Sequence, residues 1–178
     1  MEVFMSKRKI WEFTLPRYNE IPNVGLYLKQ VVKLISEAVE PCFGLKVSDT
    51  MLSNYVKMHI VSGPVKKMYY RDQIASLMFV VLAKSVLSLD NIQTMLKMQE
   101  KSYSPETAYN YFCDEFENAL KYVSGHNSEM LPVASESAEE KQLLRRVIIT
   151  MAHKFTLDDF FNSLNSENDE ALAERKMV

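Results

Sequence analysis

Apolar residues recur at helical spacing along most of this chain, and the places where that rhythm breaks divide it into parts. Leu26, Leu28, Val31, Val32, Leu34, Ile35, Ala38 and Val39 predict a helix from Val24 to about Glu40, with Pro41 expected to end it. After a link containing Gly44, Ser48 or Asp49 is placed to cap a short helix over 49–59. Its apolar side is Met51, Leu52, Tyr55, Val56 and Met58, and its free side is Thr50, Ser53, Asn54 and Lys57. The period then shortens. Ile60-Val61 and Val65 to Tyr69, the latter carrying Lys66 and Lys67, read as strands around a Ser62-Gly63-Pro64 turn.

A strongly apolar helix follows over Arg71 to Leu87, rich enough in Ile, Leu, Met and Val to be a central core element. Ser88 is a cap for a helix from Leu89 to about Gln99, and Ser104-Pro105-Glu106 opens another running through Tyr109, Phe112, Phe116 and Leu120 to Gly125. His126 to Glu136 reads as a loop. Ala138 to Lys154 is helical again, and Thr156-Leu157-Asp158-Asp159 resembles a capping arrangement before a last helix through Phe160, Phe161 and Leu164. The pattern predicts a mostly α protein in four parts. Residues 1–23 form an arm bracketed by Pro16 and Pro22, residues 24–99 a winged helix-turn-helix with a small two-stranded wing, residues 100–165 a helical dimerisation or regulatory part, and residues 166–178 a flexible acidic tail.

Composition narrows the class. The 178 residues are 47% apolar, enough for a real core, and no apolar run approaches the ~20 residues of a membrane span. The N-terminus lacks the apolar stretch of a secretory signal, so a cytoplasmic location is expected. The net charge of -2 hides an asymmetry: 13 Lys or Arg against 8 Asp or Glu up to Gln99, then 8 against 15 from Glu100. A basic front and an acidic back would orient the molecule on a polyanion.

Catalytic chemistry finds little support. His59, His126 and His153 are dispersed, Cys42 and Cys113 stand alone, and no glycine-rich phosphate loop or nucleophile elbow occurs among only four glycines. Neither enzyme activity nor a metal or other cofactor is expected. Asp158 and Asp159 read as partners of a helix dipole, and both cysteines as buried small residues.

The middle of the chain resembles the MerR-type winged helix. Ser48, Leu52, Tyr55 and the Ile60-Val61 pair stand at that family's cap, helix and closing apolar positions. Lys67-Met68-Tyr69-Tyr70-Arg71-Asp72-Gln73-Ile74-Ala75 looks like its wing return, and Val86 to Ile92 like its lead into the next helix. Together with Leu15-Pro16-Arg17-Tyr18, Ile21-Pro22-Asn23 and Gly25-Leu26-Tyr27-Leu28, the front half is similar to a bacterial family, frequent in Gram-positive genomes, catalogued as a domain of unknown function. The resemblance implies a transcription regulator. It departs from MerR proteins at Ser53 and Asn54 and in the longer link between the first two helices.

The expected function is therefore a DNA-binding transcription regulator of the repressor type, a homodimer reading double-stranded DNA with helix 49–59 and wing 62–69. Thr50, Ser53 and Asn54 would touch bases or phosphates, and Lys57, Lys66, Lys67, Tyr69 and Arg71 the backbone. One alternative is a helical protein-interaction module that binds no DNA. Another is an effector-sensing regulator with a small-molecule pocket in the C-terminal helices, lined by Tyr109, Phe112, Phe116 and Tyr122 with Met95, Met98 and Met130.

Overall fold

The computed structural model describes residues 9–130 and 139–176, with side chains as far as Ser166. Residues 131–136 of the expected loop lie outside the described residues. Among the described residues, six helices surround one apolar core, and a two-stranded antiparallel sheet sits at one edge. The helices are α1 (Leu28–Phe43), α2 (Asp49–Lys57), α3 (Arg71–Ala83), α4 (Leu89–Ser102), α5 (Pro105–Val123) and α6 (Glu139–Lys176). The strands are β1 (Leu26–Tyr27) and β2 (Met68–Tyr69), with Leu26 opposite Tyr69 and Tyr27 opposite Met68. The mostly helical class holds.

Helix α3 is the axis of the fold. Ten of its thirteen residues are buried, from Gln73 to Ala83 with only Ser76 less so, which is why its sequence is apolar on every side. Against it lies an aromatic cluster: Phe13 and Phe43 at 4.5 Å, Phe43 stacked on Phe155 at 4.3 Å, and Phe79 edge-on to Phe112 at 5.0 Å. Tyr109, Phe112 and Phe116 are buried in the core, whereas Tyr122 is exposed. Cys42 and Cys113 are both buried thiols, and burial pushes Cys113 up to about 12.

Three boundaries differ from the expectation, each for a local reason. Pro41 lies inside α1 rather than ending it. The missing amide hydrogen bond is outweighed because Cys42 is buried and Phe43 is wedged between Phe13 and Phe155. The stop is Gly44, at φ +66° with its N–H bonded to the Glu40 carbonyl at 2.8 Å, a left-handed cap that glycine adopts without strain. Second, Ile60-Val61 is not a strand. Helix α2 ends at Lys57, His59 turns the chain at φ +56°, and the amides of Ile60 and Val61 bond back to the Tyr55 carbonyl at 2.9 and 3.5 Å. Third, α6 runs unbroken through 156–159. The Thr156 hydroxyl donates to the carbonyls of Ala152 and His153 at 2.9 and 3.0 Å, so it serves the helix interior instead of capping a new start. The helix continues past Asn165 to Lys176.

The arm is tied down. Ile10, Phe13 and Leu15 are buried, and Arg17 makes a forked ion pair with Glu117 of α5, Nη1–Oε1 at 2.6 Å and Nη2–Oε2 at 2.9 Å, and a further bond to Asp114 at 2.8 Å. The Leu15 amide donates to the same Glu117 at 2.9 Å, and the Tyr18 amide to Asn110 at 2.9 Å. From the arm's other side, the Tyr18 hydroxyl donates to Asp72 of α3.

Candidate DNA-contact surface

Helix α2 begins where the Ser48 hydroxyl accepts the Met51 amide at 3.2 Å, with Asp49 in the first turn against the positive end of the dipole. Leu52 and Tyr55 are fully buried, which fixes the rotation of the helix. Thr50, Asn54 and Lys57 consequently face solvent and Ser53 is half-buried beside them, so the structure brings these four together on one face. Met58, expected on the apolar side, is 48% exposed just past the helix end. The Gln93 amide of α4 donates to the His59 carbonyl at 2.9 Å and pins that end.

Beyond Gly63 the chain forms a two-residue turn. Val65 and Met68 exchange backbone hydrogen bonds, both 2.9 Å, and Lys66 and Lys67 between them sit at φ +50° and +66°. Paired positive φ values are the mark of a type I′ turn, which ordinarily takes Asn-Gly. Two lysines in that conformation cost about 1 kcal/mol each. Both are exposed, and with Lys57 they have no ion-pair partner among the described residues.

Two anchors hold the turn. Gln73 of α3, buried, donates from Nε2 to the carbonyls of Ser62, 3.2 Å, and Gly63, and accepts the Tyr70 amide at 2.8 Å. On the other side β2 pairs with β1, and Gly25 makes the approach feasible: a Cβ there would lie 2.8 Å from Cβ of Met68. The wing thus differs from the expected 60–61 with 65–69 hairpin. Its strand partner comes from ahead of α1.

Two expected contact residues are placed elsewhere. Tyr69 is 4% exposed and belongs to the core; its neighbour Tyr70, just past β2 and still extended, is 40% exposed and faces outward, because successive residues of extended chain point to opposite sides. Arg71 is half-buried, its Nε donating to the Ile21 carbonyl at 2.8 Å and its guanidinium lying 5.3 Å from the Tyr18 ring centre. It holds the arm. Gln73 and Gln93 escaped the sequence reading; the only signal for Gln73 was its place three residues after Tyr70 at a helix start.

The matched family shows which part of the molecule carries this arrangement: the model of the DUF1836 family, a domain of unknown function, matches residues 16–112. The chain belongs to the DUF1836 family. No curated protein and no solved structure matches it. The DUF1836 stretch takes in both strands, α1 to α4 and the first eight residues of α5, so α2, the lysine turn, Gln73 and Gln93 fall inside it. Arg17 is inside the match, but its partners Asp114 and Glu117 lie beyond it.

A cleft of about 460 Å³ opens between α3, α4, α5 and the start of α6. Met95, Met98, Tyr109 and Phe112 line it, whereas Phe116, Tyr122 and Met130 do not. Among the described residues no group of His, Cys, Asp and Glu is placed to hold a metal ion, and no helix is long and apolar enough to cross a membrane.

Proposed function

We propose that this DUF1836 protein binds duplex DNA as a transcription regulator, a repressor, using the Thr50, Ser53, Asn54 and Lys57 face of α2 together with the Lys66–Lys67 turn. The observation that supports this most is the turn itself. Two lysines without an ion-pair partner among the described residues are held in left-handed backbone at an exposed tip, at a cost an Asn-Gly pair would avoid, and such strain concentrates at functional positions. Lysines at a fixed tip meet phosphates, while Asn54 and its neighbours are short enough for base edges in a major groove. Anisotropy titrations of genomic duplex fragments over a salt series test the reading. Affinity falling steeply with salt supports it, and no binding at ~50 mM salt overturns it.

A two-fold dimer fits the same reading, since one small module covers too short a site for useful selectivity. Leu157, Phe160, Phe161 and Leu164, 39–58% exposed, form a stripe at i, i+3, i+4 and i+7 along α6, an apolar face that water does not favour. A second copy laid against this stripe would cover it.

A further inference from the structure

We propose that the cleft between α3, α4, α5 and α6 binds an organic cation with an apolar body, and that its occupancy repositions the Lys66–Lys67 turn. At about 460 Å³ the space suits a drug-sized molecule. Its walls are apolar and adaptable, with Phe79, Met95, Leu96, Phe112 and Leu144 supplied by all four helices. Charge selects the class of ligand. Asp72, Glu100 and Glu140 are among the lining residues, and Lys141 is the single cation there among the described residues.

Lys141 shows how a cation is accommodated. Its ammonium lies 5.6 Å from the centre of the Tyr103 ring and 5.5 Å from that of Tyr111, two faces arranged around one positive charge. An incoming cation takes the place of the ammonium between these rings, next to Glu140, while its apolar part fills the space between Met95 and Phe112. An anion of the same shape meets a lining in which acidic residues outnumber basic ones.

The cleft also touches the machinery that sets the turn. Ile60, Val61 and Ser62 line it, as does Gln73, whose side-chain amide holds the Ser62 and Gly63 carbonyls. Lys66 follows Gly63 by three residues. A ligand that shifts Gln73 or the 60–62 segment therefore shifts the strained turn. The regulatory meaning of that motion rests on the DNA reading above; the binding and the motion themselves do not.

The test uses the full chain without DNA. Calorimetry with tetraphenylphosphonium, and with tetraphenylborate as the same shape bearing the opposite charge, measures the site. The phosphonium is expected to bind once per chain, and the borate to bind roughly tenfold or more weaker. Lys141→Met, which removes the internal competitor, raises phosphonium affinity about fivefold, and Glu100→Gln with Glu140→Gln lowers it by a similar factor. Ser76→Trp blocks the cleft. Equal affinity for the two probes, weaker phosphonium binding in Lys141→Met, or undiminished binding in a folded Ser76→Trp overturns the site. Trypsin cleavage after Lys66 and Lys67, mapped by mass spectrometry, is expected to change about threefold at saturating phosphonium. An unchanged rate overturns the coupling. Failure of DNA binding leaves both measurements readable, so the two proposals fall separately.

Discussion

Arg17 and Glu117, one hundred residues apart, form a forked ion pair that joins the arm to the middle of α5. The Glu117 side chain is 10% exposed and that of Arg17 35%. The hydrogen bond to Glu117 drives the Arg17 guanidinium to an even higher pKa than an arginine ordinarily has, so Arg17 stays charged at any working pH. Arg17→Ala strands a buried carboxylate, and chemical denaturation should show a drop of about 2 kcal/mol, below the ~3–5 of a fully buried pair because Arg17 partly meets solvent. An unchanged midpoint would mean that the Leu15 amide alone satisfies Glu117.

The DNA-contact reading separates residues that the sequence grouped together. Lys57→Ala, Lys66→Ala and Lys67→Ala combined should reduce the slope of log affinity against log salt by about 0.9 for each phosphate that is no longer neutralised. Tyr69 is the opposite case. Its buried ring packs the core, so truncation to Ala should cost stability by ~3 kcal/mol, and Arg71→Ala should loosen the arm, as hydrogen exchange at residues 19–21 would register.

Relieving the turn should set stability against binding. Lys66→Asn with Lys67→Gly supplies the residues a type I′ turn favours and should stabilise by about 1–2 kcal/mol in thermal unfolding. The same variant removes both ammonium groups that would face phosphates and should bind duplex DNA more weakly. If stability does not rise and affinity does not fall, the strain has no functional meaning.

Alkaline pH should expose the buried tyrosines. Burial pushes Tyr55 up to about 12 from an ordinary 10.0, and burial followed by the hydrogen bond to Asp72 does the same for Tyr18. Below pH 10 folded and unfolded chains both keep these protons. Between 10 and 12 only the unfolded chain releases them, so stability falls with rising pH, by about 1.4 kcal/mol per unit for buried Tyr55 and by less for Tyr18, whose surroundings are screened by solvent. Tyr55→Phe should flatten part of that decline at little cost near neutrality, because the Tyr55 hydroxyl is buried without a hydrogen-bond partner.

The α6 stripe makes a prediction about assembly. Phe160→Glu with Phe161→Glu should give a monomer by light scattering while leaving the core transition in place, since Phe155 and the residues before it do the packing. In an antiparallel pair, Leu157→Cys on one copy faces Leu164→Cys on another, and a mixture should cross-link more readily than either variant alone. A preference for like with like would indicate parallel helices.

Sequence periodicity made most of the helices legible because their buried faces are local patterns: Leu52 with Tyr55, or the run from Ile74 to Ala83. Caps at Ser48, Ser88 and Ser104 marked three starts correctly. What failed depended on partners distant in sequence. Pro41 stays helical because of Phe155, Met68 finds its strand at Tyr27, and Arg71 turns away from solvent toward Ile21. The free face of α2 was readable from spacing; Gln73, which aims the lysine turn, and Gln93, which pins the end of α2, act through carbonyls that no composition reveals.

The bond from Arg17 to Glu117 also sets a clock on synthesis. An arm made first has no anchor until residue 117 clears the ribosome, and at ~5–20 residues per second that leaves about 5–20 s in which Ile10, Phe13 and Leu15 have no α5 to cover them. The segment that locks the finished protein is thus uncovered while it is being made, and any nascent chain stalled before α5 is complete would carry that exposure for as long as it stalls.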